Sequence, residues 1–85
     1  MWCVYMIQHS ESKEFYVGFT SDIEERLKSH NSGNNRSTKR LSGEWVLVYY
    51  EVFRSEKDAR LREKKLKSHG KGKQELLKRI ANSLM

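Results

Sequence analysis

The sequence is poor in residues that cross-link or stiffen a chain: its 85 residues include no proline and one cysteine. A lone Cys3 excludes an intrachain disulfide, which suits a reducing compartment. A structural zinc site is not expected either, because His9 and His69 have no partners at metal-ligand spacing. The absence of proline excludes a proline-rich linker.

Long apolar runs are absent as well. The longest two, WCVYMI and WVLVYY, have six residues each, whereas a bilayer-spanning helix needs about 20. The N-terminus shows no charged region followed by an apolar stretch, so no signal peptide is expected. Together these absences predict a cytoplasmic protein that does not span a membrane.

Positive charge is what the sequence has in excess. Lys and Arg outnumber Asp and Glu by 17 to 11, for a net charge of +6, and the positive residues are dense from Arg54 to Arg79. Such a field attracts polyanions, so nucleic acid is the first candidate partner and an anionic membrane surface the second. The length predicts a single domain, residues 1–85, with one modest core.

All nine aromatic residues fall in three short segments, Trp2–Gln8, Phe15–Thr20 and Trp45–Phe53. Aromatic and β-branched residues favour strands, so each segment is predicted to be one. The polar connector HSESKE between the first two is short enough for a hairpin, which predicts an antiparallel pair. The third segment is apolar on both alternating faces, which predicts a strand covered on both sides.

Three helices are predicted from capping residues and apolar periodicity. The first begins near Ser21 or Asp22 and ends before Gly33, the second runs from Ser55 to about Ser68, and the third from about Lys73 to Ser83. The order β-β-α-β-α-α predicts an α+β fold, with helices that flank a small mixed or antiparallel sheet. Residues 31–44 form a long polar loop of a kind that is often functional.

The second strand contains an unusual glycine, Gly18, in the stretch EFYVGFT. Glycine weakens a strand interior and usually marks a bulge or a close approach by another group. If the first two strands pair, Tyr5 and Tyr16 lie on one side of the sheet, beside a gap at Gly18 where a ligand's backbone could come close. The alternative is two core tyrosines with hydroxyls at the rim.

Two polar residues of the first helix border its apolar face. His30 shares that face with Ile23 and Leu27, and Arg26 lies one turn before His30. Each residue has an ordinary alternative: a surface arginine that extends its charge to solvent, and a histidine that favours the helix dipole.

The second helix places an acid, Glu63, on the stripe formed by Ala59 and Leu66. A buried carboxylate must be paired or bind a cation. An ion pair with Lys67 or Arg62 and a role as a metal ligand are both open alternatives.

Two tyrosines, an arginine, a histidine and a glutamate in one cleft suit phosphodiester hydrolysis. A lone carboxylate can hold one Mg²⁺, which keeps several waters and takes further ligands from the substrate phosphate. Arg26 can clamp the phosphoryl oxygens as negative charge develops. A tyrosine can orient or deprotonate the attacking water if nearby positive charge lowers its pKa from about 10.

These five polar positions also carry a resemblance to a known family. They are Tyr5 in WCVYMI, Tyr16 in YVG, Arg26 and His30 in DIEERLKSHNSG, and Glu63 in ARLREKKLK. In this order and spacing, nearly the whole chain resembles the GIY-YIG nuclease domain. It is most similar to the small single-domain bacterial members, which are similar to the N-terminal nuclease module of the excinuclease incision subunit. The first tripeptide departs from the pattern, since it reads Cys3-Val4-Tyr5.

The resemblance implies a three-stranded antiparallel sheet flanked by three helices, and an endonuclease that cleaves DNA in repair or processing. It implies one divalent metal, Mg²⁺ or Mn²⁺, on Glu63. It implies that Tyr5 and Tyr16 act on water and phosphate, that Arg26 stabilises the transition state and that His30 assists. The implied partners are DNA, branched or damaged, and a larger repair assembly.

Other positive residues are predicted to contact phosphates. They are Arg36, Lys39, Arg40, Lys64, Lys65, Lys67, Lys71 and Lys73, and Gly18 joins them as a site of close backbone approach. For any single lysine a solvated surface charge is the alternative, whereas the group predicts binding that weakens steeply with salt. Two other functions are open: a catalytically degenerate module that only binds DNA or RNA, and a basic protein that attaches to a repair or ribosomal assembly.

Overall fold

The computed structural model describes residues 1–33, 38–68 and 70–85. Its centre is a three-stranded antiparallel sheet of β1 (Trp2–His9), β2 (Phe15–Thr20) and β3 (Trp45–Phe53). The strand order is β2-β1-β3, so β1 lies between the other two. The predicted hairpin of β1 and β2 is confirmed. Two residues considered above, Arg36 and His69, lie outside the described residues.

Three helices follow in the predicted order: α1 (Ile23–Asn31), α2 (Glu56–Lys67) and α3 (Lys71–Arg79). The Asp22 carboxylate accepts a hydrogen bond from the first turn of α1, and the Ser55 hydroxyl does the same for α2. These caps satisfy amide groups that have no partner inside a helix. The last helix ends earlier than predicted, and residues 81–83 form a single 3₁₀ turn instead. Within the described ranges, each helix is too short or too polar to cross a bilayer.

The central strand β1 divides the core into two clusters, because side chains alternate between the faces of a strand. Val4 and Met6 face α2 and α3, in a cluster of buried apolar residues. Tyr5 and Ile7 face the other way, in a second cluster that includes Trp45 and borders α1. These four side chains of β1 are each at most 2% exposed. On β1, the face toward α2 and α3 therefore carries apolar side chains, and the opposite face carries the Tyr5 phenol.

The prediction that β3 is covered on both sides is wrong. Tyr50 and Val52 near its end are 53% and 51% exposed, because β3 is an edge strand and β1 takes the central place. The apolar pattern of the first and third segments is similar, so sequence alone did not distinguish the central strand from the edge.

Candidate active site

Tyr5 lies opposite Gly18 in the β1–β2 pair, and its ring covers this glycine. A Cβ atom at Gly18 would come within 2.5 Å of the Tyr5 hydroxyl and 2.7 Å of the ring carbon that bears it. The close approach predicted at Gly18 is therefore real, but it is made by Tyr5. The expected gap for a ligand's backbone is filled by the Tyr5 ring and Gly18 is buried, so the prediction of an open gap is wrong. Glycine is needed here because a larger residue would collide with the Tyr5 ring.

His30 in the last turn of α1 joins the two tyrosines. Its side chain is 1% exposed, and its Nε2 atom lies 2.7 Å from the Tyr5 hydroxyl. The imidazole centroid lies 5.8 Å from that of Tyr5 and 4.9 Å from that of Tyr16. His30 is thus a buried member of the phenol cluster, and the alternative of a histidine that merely favours the helix end does not describe its contacts.

Burial keeps both members of this hydrogen bond neutral. Burial lowers the pKa of His30 below its ordinary value, and the nearby charge of Arg26 lowers it further. Burial also raises the pKa of Tyr5; Tyr16 and Glu63 act in the same direction and Arg26 opposes them. A neutral imidazole has one protonated and one bare nitrogen, so it can accept a proton from one side while it donates on the other.

The other nitrogen of His30 is held by a residue that sequence analysis missed. Its Nδ1 atom lies 2.7 Å from the hydroxyl oxygen of Thr38, which is 1% exposed. The Thr38 carbonyl accepts a hydrogen bond of 2.7 Å from the Trp45 indole. Thr38 lies inside a polar loop, NSGNNRSTKR, in which no local pattern distinguishes it from its neighbours.

Asn31 is a second missed residue, and it ties the end of α1 to the start of β3. Its side-chain oxygen accepts from the Trp45 backbone N–H at 2.6 Å, and its amide donates to the Trp45 carbonyl at 3.0 Å. The Asn31 side chain thus bonds both the N–H and the carbonyl of Trp45, as the backbone of a neighbouring strand would. These two bonds fix the position of the end of α1, and therefore of His30, relative to the sheet.

Arg26 lies on the exposed side of α1, one turn before His30. It borders an open cleft of about 230 Å³ whose other lining residues are Thr20, Asp22, Glu25 and Ser29. Among the described residues, its guanidinium forms no ion pair and no side-chain hydrogen bond. An unpaired guanidinium beside a neutral phenol is a ready contact for an anion.

Glu63 lies between Ala59 and Leu66 on the inner side of α2, and its side chain is 18% exposed. Its Oε2 atom lies 3.2 Å from the ammonium of Lys67, while Arg62 pairs with Glu51 instead. The ion pair expected as one alternative is therefore present. Because Lys67 is 50% exposed and such a pair contributes about 0.3–0.5 kcal/mol, it does not lock the carboxylate away from other cations.

The predicted site residues come together around the phenols. Arg26 and Glu63 are both close enough for their charges to act on the pKa of Tyr5. The Lys67 ammonium, which holds Glu63, lies 5.6 Å from the centre of the Tyr16 ring. Tyr16 itself stands 6.5 Å from Tyr5, centroid to centroid.

Comparison with known proteins identifies the family of the chain. The family model for the GIY-YIG catalytic domain matches residues 1–75. The chain belongs to the GIY-YIG family. In it the two motif tyrosines, Tyr5 and Tyr16, are the phenols that meet His30.

The GIY-YIG chain is similar to several small UPF0213 proteins. It is 35% identical to one from Clostridium perfringens over 60 residues, which are 71% of this chain and 63% of that protein. It is 32% identical to one from Staphylococcus haemolyticus, over 91% of this chain and 90% of that protein. The solution NMR structure of a UPF0213 protein from Bacillus halodurans is 31% identical, covers 91% of this chain and 82% of its own, and superposes with a TM-score of 0.53.

The donor set of this GIY-YIG site suits a hard divalent cation. The described residues contain no group of three His, Cys, Asp or Glu side chains that could hold a metal. Glu63 offers carboxylate oxygens near the Tyr5 phenol, and Mg²⁺ or Mn²⁺ accepts such a site because it keeps waters and takes phosphate oxygens from the substrate. A closed zinc site would need four protein ligands.

The residues predicted to contact phosphates differ in the contacts that they already make within the protein. Arg40 forms an ion pair with Glu14 and places its guanidinium 5.4 Å from the Trp45 ring centre, so it already has partners inside the protein. Lys73 lies 5.9 Å from the centre of the Phe15 ring. Four others are exposed: Lys39, Lys64, Lys65 and Lys71.

Proposed function

We propose that this GIY-YIG chain is a metal-dependent endonuclease that hydrolyses DNA phosphodiester bonds in repair or processing, and that residues 1–85 act as a single domain. The observation that carries the proposal is the buried 2.7 Å hydrogen bond between the Tyr5 hydroxyl and His30 Nε2, with Arg26 and Glu63 beside it. A buried phenol–imidazole pair between opposite charges is an arrangement suited to proton transfer.

The proton step uses Tyr5 and His30 together. A phenol with a raised pKa is a poor base by itself, because its ionised form is disfavoured. The neutral imidazole offers an acceptor 2.7 Å away. Tyr5 can therefore pass its proton to His30 as it takes one from the attacking water, and no phenolate has to persist.

The charge step uses Arg26 and Glu63. The guanidinium of Arg26, free of protein partners in the described chain, contacts phosphoryl oxygens and stabilises the negative charge that develops on them. Glu63 holds Mg²⁺ or Mn²⁺, which supplies Lewis-acid stabilisation of the phosphate when bound. Tyr16, in ring contact with His30, orients the water or the phosphate.

A second candidate is a module that binds DNA or RNA without cleaving it. The observation that favours it is the ion pair of Glu63 with Lys67, which neutralises the carboxylate without a metal. The nuclease is the better supported of the two, because a module that only binds has no need for a buried Tyr5–His30 pair beneath the surface.

The decisive experiment compares two glutamates of α2. Glu63→Gln removes the carboxylate beside the tyrosines, and Glu56→Gln removes one that forms an equivalent pair with Arg60, also four residues on. We expect Glu63→Gln to lower the rate of Mg²⁺- or Mn²⁺-dependent nicking of plasmid and branched DNA by about 100-fold or more. Glu56→Gln should cleave as the unmodified protein does.

Two outcomes contradict the proposal, the first its mechanism and the second its activity. Equal rates for both variants would remove Glu63 from the reaction. Retention of DNA at low salt, with no cleavage under either metal, would favour the binding module.

A further inference from the structure

The contact between Lys67 and Glu63 places a protein cation where a metal would bind. The ammonium lies 3.2 Å from Oε2, and the lysine side chain is 50% exposed whereas the carboxylate is 18% exposed. The same ammonium lies 5.6 Å from the centre of the Tyr16 ring, whose face also attracts a cation. The Lys67 ammonium therefore interacts with both the Glu63 carboxylate and the Tyr16 ring, which share its positive charge.

This shared charge has a physical reason. A carboxylate that is largely buried is unfavourable without a counter-charge, so Glu63 needs a cation whenever no metal is bound. Lys67 is suited to supply it, because it follows Glu63 by four residues, the orientation in which a helical Glu–Lys pair is favourable. A lysine ammonium is a point charge on a flexible stem, and it leaves more easily than a bidentate arginine would.

We propose that Lys67 is a built-in competitor for the divalent cation on Glu63. It neutralises the carboxylate in the metal-free protein and is displaced when the cation binds. This inference rests on the proposed function, since it assumes that Glu63 is the metal ligand. The competition is modest and depends on salt, because the ammonium is half-exposed and its charge is screened.

The test measures metal binding without DNA and without catalysis. Mn²⁺ is titrated into ¹⁵N-labelled protein, and the midpoint is read from paramagnetic broadening of amide signals around Glu63. Lys67→Met removes the competitor and keeps most of the side-chain volume. Lys65→Met is the matched control, since it removes one positive charge from the same helix at an exposed position.

We expect Lys67→Met to lower the Mn²⁺ midpoint by about threefold at low salt, which corresponds to ~0.6 kcal/mol, and Lys65→Met to leave it nearly unchanged. In about 1 M salt, where the Debye length falls to about 3 Å, the difference between the variants should shrink. The amide spectrum reports at once whether each variant is folded.

Three results overturn the inference, and they separate it from the proposed function. If Lys67→Met and Lys65→Met shift the midpoint equally while Glu63 still binds Mn²⁺, Lys67 is not a competitor and the metal site stands. A weaker affinity in Lys67→Met would make Lys67 a helper of the metal. If no variant shows broadening around Glu63, and Glu63→Gln looks the same, the metal assignment itself fails.

Discussion

The two faces of β1 differ in what they need from their side chains. On one face Val4 and Met6 fill an apolar cluster beneath α2 and α3, where shape and volume are the only requirements. On the other face Tyr5 is equally buried, but its hydroxyl must meet His30. A buried polar pair costs stability when either partner is lost, so the second face is constrained by chemistry as well as by packing.

The difference teaches that stability and reactivity are carried by neighbouring residues of one strand. Met6 and Tyr5 are adjacent in sequence, and they point to opposite sides of the sheet. Substitutions on the apolar face should therefore change how well the protein folds, and substitutions on the phenol face should change what the folded protein does. The predictions below test this separation.

The largest expected effect on stability comes from Met6→Ala, since Met6 is 0% exposed. Loss of its volume should lower the free energy of unfolding by about 2–5 kcal/mol, because a cavity forms among the surrounding side chains. Urea denaturation measures the loss. DNA cleavage at a temperature where the variant remains folded should keep its pH dependence, and a changed pH profile would mean that the two faces are not separable.

Tyr5→Phe should produce the opposite result. The ring still fills the space above Gly18, so the cost in stability is limited to about 1–3 kcal/mol for the unpaired His30 nitrogen. Under the proposed mechanism, cleavage by folded protein should fall by about 100-fold, or ~2.7 kcal/mol in activation free energy.

Tyr49→Phe is the control for Tyr5→Phe, because the Tyr49 hydroxyl donates to Glu51 at 2.6 Å and is likewise a hydrogen-bonded phenol on the sheet. Single-turnover rates of plasmid nicking compare the two variants. If Tyr49→Phe slows cleavage as much as Tyr5→Phe, the Tyr5 hydroxyl has no special part in the reaction.

Local signals in the sequence predicted most of the fold and the set of polar residues that the structure gathers around Tyr5. Ser55 and Asp22 cap helices within one turn of themselves, and alternation within a strand places Tyr5 opposite Met6, so short-range rules suffice for these features. The central position of β1 was not predictable, because it depends on which apolar strands pair.

The missed parts of the site depend on contacts between distant residues. Thr38 reaches His30 from a loop with no regular pattern. A close approach at Gly18 was correctly predicted, but the approaching group was not. It is the Tyr5 ring of the neighbouring strand, where the sequence predicted space for a ligand. For Glu63 the residues left a metal and an ion pair open, and the choice of Lys67 over Arg62 depended on Glu51 of β3, which takes Arg62.

The smallest predicted effect is on the pH dependence of stability. It involves His30, which contacts the face of β1 that carries Tyr5. The pKa of His30 is lowered in the folded protein, first by burial and then by Arg26, while in the unfolded chain it is near 6.5. The unfolded state therefore binds a proton more readily. The contribution of His30 is fully present above pH 6.5 and is lost as the pH falls toward the lower, folded pKa.

We expect the free energy of unfolding to decrease below about pH 6.5 with a slope of at most ~1.4 kcal/mol per pH unit from this group. Urea denaturation at a series of pH values measures it, and His30→Gln, which cannot titrate, should flatten the curve by that amount. His9, another histidine that is buried, remains in both proteins, so the difference between the curves isolates His30. Identical slopes in the two proteins would mean that His30 is protonated as easily in the fold as outside it. In that case it could not be the neutral acceptor that the phenol requires.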